Sequence, residues 1–198
     1  MKKLIMIMVA GVLFTGTTTA QSWIDLLKKA ATEVVDKATD GKATEYAMVG
    51  TWKYKEPGVR FESDDVTAGL AGVAVESTVV SKLQKAYNLA GIKAGSCTFT
   101  FNSDGKFTAT IGTRNLSGEY TYTTETHVLA LTFSKGIPGL KTMQGNAYIS
   151  GSELELVFPI TKLVELVSKL GSKISSLATI STMLEKYKNV YIGFAFEK

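Results

Sequence analysis

One cysteine, one histidine and two arginines are a thin supply of the side chains that most often carry chemistry in a chain of 198 residues. A lone Cys97 excludes an intrachain disulfide, so stability has to come from packing. Cys97 itself reads as a small buried apolar residue rather than a reactive thiol. His127 and Cys97 cannot build a common zinc site without several carboxylates. The sequence contains no H-E-x-x-H, no G-x-S-x-G and no P-loop, so no enzyme class is indicated and no cofactor or metal is expected. Arg60 and Arg114 are the two arginines, and no basic cluster interleaves with aromatics, which argues against nucleic acid as a partner. Low-complexity stretches and solenoid-type repeats are also missing.

A long hydrophobic run is absent too. The longest apolar stretch, Leu4 to Phe14, is too short to span a membrane as a helix. Lys2 and Lys3 precede it, and Thr18-Thr19-Ala20 follows with small residues. That order is a signal peptide over residues 1–20, cut after Ala20. No cysteine follows the cut, so a lipid anchor is not expected. Cleavage removes two lysines and no acid, lowering the formal charge by two, from +4 to +2. The mature chain, residues 21–198, is then expected in the periplasm or outside the cell, as one domain with a single core.

What is present is alternation. Cys97, Phe99 and Phe101 share a face against Thr98 and Thr100. Phe107, Ala109 and Ile111 repeat the pattern, as do Leu116, Gly118, Tyr120 and Tyr122. A side-chain period of two, broken by turns such as Asn102-Ser103-Asp104-Gly105, indicates an antiparallel meander. The predicted strands, A to H, are Thr51–Phe61, Cys97–Phe101, Lys106–Ile111, Leu116–Tyr122, His127–Phe133, Thr142–Ile149, Glu153–Phe158 and Val190–Phe196. Pro57-Gly58 interrupts the first and implies a bend or bulge there. Helical spacing marks three further segments. Ser22 to Asp40 is an amphipathic helix expected to pack on the body of the chain. The others are insertions at 66–93 and 161–187, the first open to division at Gly69 and Gly72 and the second at Gly171. Ser63, Asp64 and Asp65 suit the start of the first insertion as N-cap and first turn, a better reading than a metal site with Glu62.

The fold class is therefore mainly β with α insertions: an eight-stranded antiparallel up-and-down barrel with an N-terminal helix. In such a barrel the A–B and G–H insertions emerge at the same end, between neighbouring strands, and should cap one mouth. Trp52, Phe101, Phe107, Tyr122, Ile149, Leu154 and Phe196 point inward near the opposite end and plug it. His127 falls near that plugged end, as a rim residue rather than a triad member. Lys53, Lys55, Glu119, Glu153 and Glu155 face solvent, which separates the chain from an outer-membrane barrel. A ligand cavity, if the barrel is hollow, lies beneath the helices. Its candidate lining is Phe61, Cys97, Ala109, Ile111, Gly118, Tyr120, Leu131, Phe133, Met143, Gly145, Phe158 and Ile192, with Ala109, Gly118 and Gly145 leaving space. That lining suits a small apolar or amphipathic ligand, as in a carrier or sensor. A barrel filled by its own side chains, with the helices as a partner surface, is the alternative.

Gly50-Thr51-Trp52 at the opening of the first strand resembles the lipocalin fingerprint, G-x-W. With the signal, the helix, G-T-W-K-Y and F-x-x-D-G-K-F, most of the mature chain is similar to a family of secreted lipocalin-like proteins of Gram-negative gut bacteria. The resemblance implies a calycin-type barrel with Trp52 near its closed end, and implies no activity. The arginine that usually partners this tryptophan near the end of the last strand is absent, since the chain reads Phe196-Glu197-Lys198. The long helix of a typical lipocalin follows the barrel, whereas here helices interrupt it. The signal-peptide reading is checked by the mass of the exported protein, whose first residue is expected to be Gln21; an exported chain that retains Met1 contradicts it.

Overall fold

In a computed structural model of the chain, the residues described are 45, 47–61, 66–170, 182 and 190–198. The expected helix over Ser22–Asp40, the cap at Ser63 to Asp65 and the second half of the 161–187 insertion lie outside them. The strands are β1 (Gly50–Phe61), β2 (Thr98–Phe101), β3 (Lys106–Ile111), β4 (Arg114–Thr123), β5 (Val128–Lys135), β6 (Thr142–Ser150), β7 (Glu153–Pro159) and β8 (Val190–Glu197). Two helices, α1 (Val66–Leu89) and α2 (Ile160–Lys169), occupy the β1–β2 and β7–β8 connections. Each strand pairs antiparallel with its sequence neighbour, and β8 returns to pair with β1, so the sheet closes on itself as a ring. Among the described residues no helix is long and apolar enough to cross a membrane.

β1 runs unbroken through Pro57-Gly58, and its irregularity sits earlier. The register against β8 shifts between Tyr54 and Glu56. Trp52 and Tyr54 face inward before the bulge, and Val59 is buried after it, opposite Ile192. A bulge inserts one residue and so changes which parity faces the core. Arg60 is thereby kept on the outside. Pro57, which has no N–H, falls where the β1–β2 ladder has already ended at Lys53–Thr98. His127 also differs from expectation. It adopts φ 55° in the turn before β5 rather than starting the strand.

α1 is one continuous helix of 24 residues despite its two early glycines. Its end is a Schellman arrangement: Gly91 has φ 77°, the Gly91 N–H donates to Asn88 O at 3.2 Å, and the Ile92 N–H donates to Tyr87 O at 2.8 Å. Val79, Leu83, Ala86 and Tyr87 are buried. The Tyr87 ring stacks on Phe194 of β8 at 5.1 Å, and its hydroxyl donates to Gly193 O at 2.9 Å. α2 buries Leu163, Leu166 and Val167.

The inner rows meet as aromatic rings. Phe99 stacks on Phe101 at 5.3 Å and on Phe107 at 5.5 Å, and Phe107 meets Phe133 edge-on at 5.5 Å. Tyr54 meets Phe194 and Phe196 edge-on at 6.0 and 6.1 Å. Such pairs add a little beyond the area they bury, roughly 0.5–1.5 kcal/mol each. The end around Trp52 is closed by polar contacts as well. The Trp52 indole N–H donates to Met48 O at 2.7 Å. Lys198 places its ammonium 4.6 Å from the centre of the Trp52 ring and donates to Ala47 O and Val49 O at 3.1 and 3.4 Å. Lysine thus supplies the cation over the tryptophan where the lipocalin pattern has arginine. Gly50 makes room for it: φ is +130°, and a Cβ there would stand 3.3 Å from Lys198 Cε.

Two inner glycines are seats for rings. Gly118 pairs with Phe107 across β3–β4, and Gly145 lies beside Phe158 of β7. A Cβ on Gly118 would fall 1.9 Å from Thr132 O and 3.0 Å from the Phe107 ring. On Gly145 it would fall 2.3 Å from Val157 O and 2.4 Å from the Phe158 ring. The room expected at these positions is therefore taken by the chain's own phenylalanines. Gly118→Ala is expected to destabilise the fold by about 1–3 kcal/mol, the usual range for overpacking. Urea unfolding measures this, and an unchanged midpoint would contradict the close approach of Thr132.

Candidate functional site

The two helices and two loops converge at one end of the ring. Gly112, in the β3–β4 turn, lies against the end of α1: a Cβ on it would stand 3.2 Å from Ala90 O. The Gly112 N–H also donates to Cys97 Sγ at 3.3 Å. At the end of α2, Lys169 donates to Gly139 O in the β5–β6 loop at 2.6 Å and pairs with Glu165 at 3.0 Å. That loop is a tight structure. Ile137-Pro138-Gly139-Leu140 is a turn closed by Leu140 N–H to Ile137 O at 3.2 Å, with Gly139 at φ 77°. Proline then glycine with positive φ is the type II preference. Gly136, at φ 126°, lets the loop fold down on Leu116, whose Cδ2 would be 2.3 Å from a Cβ at 136.

A cleft of about 330 Å3 opens here, lined by Arg114, Phe133, Ser134, Lys135, Gly136, Ile137, Pro138 and Leu140. Ile137 and Leu140 are buried members of the main core although they belong to a connecting loop. They back the cleft from the core side and expose little surface to it, beside the half-buried Phe133. Arg114 opens β4 at the rim, and Lys135 ends β5. The Ser134 hydroxyl donates to Ser117 O at 3.1 Å, where the β4–β5 register shifts.

Of the twelve lining residues expected from sequence, Phe133 borders this cleft. Cys97, Ala109, Ile111, Leu131, Met143, Phe158 and Ile192 are buried in the core, and Phe61 is half-buried against it. Gly118 and Gly145 are the ring seats described above. Tyr120 points the other way: its hydroxyl donates to Asn102 O at 2.8 Å, in the β2–β3 turn at the opposite end. Arg114, Lys135, Ile137 and Leu140 were not among the expected residues. The signal that could have found them is an apolar pair bracketing Pro-Gly inside a loop flanked by lysines.

The opposite rim carries the histidine. His127 Nδ1 and the Tyr122 hydroxyl share a hydrogen bond of 2.9 Å, and the His127 and Tyr148 ring centres lie 5.0 Å apart. Arg60 lies over the Tyr148 ring, 3.6 Å from its centre, and pairs with Glu155 at 3.3 Å. Both members of that ion pair are largely covered, at 12% and 13% side-chain exposure, so Glu155 is not the solvated charge its outward direction suggested. Glu153 pairs with Lys55 at 2.7 Å. Among the described residues no three His, Cys, Asp or Glu side chains come together to hold a metal ion.

A closed ring of eight antiparallel strands, with its first glycine and tryptophan at one closed end, is a lipocalin-like architecture. The family model described as "Lipocalin-like domain (DUF4923)" matches residues 24–198, and the chain belongs to that family. Among solved structures, it is similar to a DUF4847 family protein from Bacteroides vulgatus. Identity is 16%, the TM-score is 0.36, and the match covers 75% of this chain and 91% of that one. No curated protein matches.

Two tyrosines, Tyr54 of β1 and Tyr87 of α1, are buried where the helix meets the ring. Burial raises both above the ordinary phenol value, and for Tyr54 the neighbouring Cys97 adds to the rise. Among the described residues the Tyr54 hydroxyl is buried without a hydrogen-bond partner. In the unfolded chain both would ionise near pH 10. The folded forms hold their protons to higher pH, so ionisation favours the unfolded state as pH rises. The contribution of these two tyrosines to stability is therefore expected to be flat below about pH 10 and to fall above it, by up to about 1.4 kcal/mol per pH unit for each tyrosine. Tyr87→Phe should lessen that slope. Denaturant midpoints across pH 8 to 12 test this, and a Tyr87→Phe variant with the full slope contradicts it.

Proposed function

We propose that the protein is a non-catalytic binding protein of the cell envelope, a carrier or sensor that takes one small apolar or amphipathic molecule at the helix-bearing end of the ring. The observation that carries this reading is the cleft beside the β5–β6 loop. Ile137 and Leu140 are drawn into the core by a loop, yet with Phe133 they border open volume. Loops over a rigid sheet are where binding functions concentrate. The lipocalin-like family supports a ligand-binding fold. Export to the envelope rests on the Lys2-Lys3 charge, the apolar run and the small residues before Gln21.

The close seating of Phe107 on Gly118 and of Phe158 on Gly145 favours binding at the mouth over binding deep inside. It also supports a second reading, an envelope interaction module that uses its helices as a partner surface. Native mass spectrometry of the mature protein, purified gently from its own envelope, separates the two. The expected result is a bound small mass that is lost on denaturation. A bare chain, or a reproducible protein adduct in place of a small ligand, counts against the carrier reading.

A further inference from the structure

We propose that the outer wall of β6, β7, β8 and β1 is a docking surface for the chain's own residues 22–40, laid as an amphipathic helix along the line from His127 through Tyr148 to Arg60. The observation that carries this is a buried site on the outside of the ring. Leu156 and Phe158 belong to the main core, so Val157 between them faces outward. Val157 is nevertheless fully buried, and it does not belong to the main core. Its ladder partners are Gly193 of β8 and Asn146 of β6. Gly193 is buried too, and Asn146, Tyr148 and Ala195 are half-buried. The far wall differs: the outward Lys106, Thr108, Glu119, Thr121 and Thr132 are exposed.

The surface is smooth as well as covered. Gly58 makes room for the Glu155 side chain, whose Cγ would stand 3.2 Å from a Cβ at 58. The Arg60–Glu155 pair therefore lies along the sheet, with Arg60 over the Tyr148 ring and His127 beside that ring. Charges are costly under cover unless they are paired, and these two are paired. Arg60, His127, Tyr148 and Ser150 each take part in a further polar, ring or electrostatic contact, so none of them is free. The path of the chain leads to this line. Lys198 holds Ala47 and Val49 at the closed end, and Met48 is buried there. Burial, then Asp104, then Glu45 raise the Tyr120 phenol, which places Glu45 within electrostatic reach of β4. Residues upstream of Glu45 therefore meet the ring beside the β4–β5 turn, where His127 sits. In that upstream stretch Trp23, Leu27, Ala30, Val34 and Ala38 form one stripe at helical spacing. As a helix the 19 residues from 22 to 40 span about 28 Å, close to the roughly 24–27 Å of β7 and β8. The segment thus has the length, the apolar stripe and the point of entry that this wall requires.

The test uses the full mature chain, residues 21–198, with isotope-labelled methyl groups. NOEs are expected between the Val157 methyls and those of Leu27, Ala30 or Val34. In a mixture of labelled and unlabelled chains, no such NOE should pass from one chain to another. The absence of any NOE from Val157 to residues 22–40 overturns the proposal. NOEs found only between chains overturn it too, and give the wall to a second copy. His127, the one histidine, supplies a chemical readout. Its acylation by diethyl pyrocarbonate should quicken severalfold in the L27D/V34D variant, which puts charge into the stripe. It should keep the native rate in K29Q, on the other side of the segment. A native rate in a folded L27D/V34D variant contradicts docking along His127. Should that variant fold poorly, the NOEs of the native chain decide.

Discussion

The ladder between β8 and β1 is the constraint on which the rest depends. Lys53 to Phe61 pairs with Val190 to Glu197, and this one seam turns a meander with two open edges into a ring with none. The seam tolerates one irregularity, and its position matters. A slip of one residue carries a strand's whole side-chain set to the other face. With the bulge between Tyr54 and Glu56, Trp52 and Tyr54 stay inside below it and Val59 inside above it. Arg60 stays outside, on Tyr148 and Glu155. Without the bulge the guanidinium would enter an aromatic interior, where an unpaired charge is costly.

The ring divides its two ends between different tasks. At one, Trp52 lies under Lys198 with its indole N–H satisfied by Met48, and short turns close the strands. At the other, α1 lays Tyr87 against Phe194, α2 ties the β5–β6 loop through Lys169, and the cleft opens beside that loop. The stacked rings between them join the ends into one core. The wall of the cleft is thereby fixed by the same contacts that hold the fold.

The strands were legible in the sequence because alternation is a direct image of a two-faced sheet. The shared end of the two insertions followed from counting strands, and the contacts of Gly112 with α1 and of Gly139 with α2 agree with it. Register was not legible. Lys55 and Glu56 are both polar, so nothing in their types tells where the inner parity changes. Gly118 and Gly145 read as empty space because a missing side chain looks the same whether the gap stays open or seats a ring from the next strand. Lys198 was one cation among many until the fold brought it over Trp52. The cleft escaped for a similar reason: its wall is made by a loop whose path depends on positive φ at Gly136 and Gly139.

The pairing of Phe107 with Gly118 has a consequence for engineering. Ring and glycine together occupy one volume, so they behave as a single removable plug. Trimming the ring leaves no neighbouring Cβ to fill the gap, and the void should exceed that left by the same cut opposite an alanine. Phe158 beside Gly145 offers the same opportunity on the far wall. A scaffold of this kind could be hollowed at a chosen depth, one side chain at a time, to build or enlarge an internal chamber.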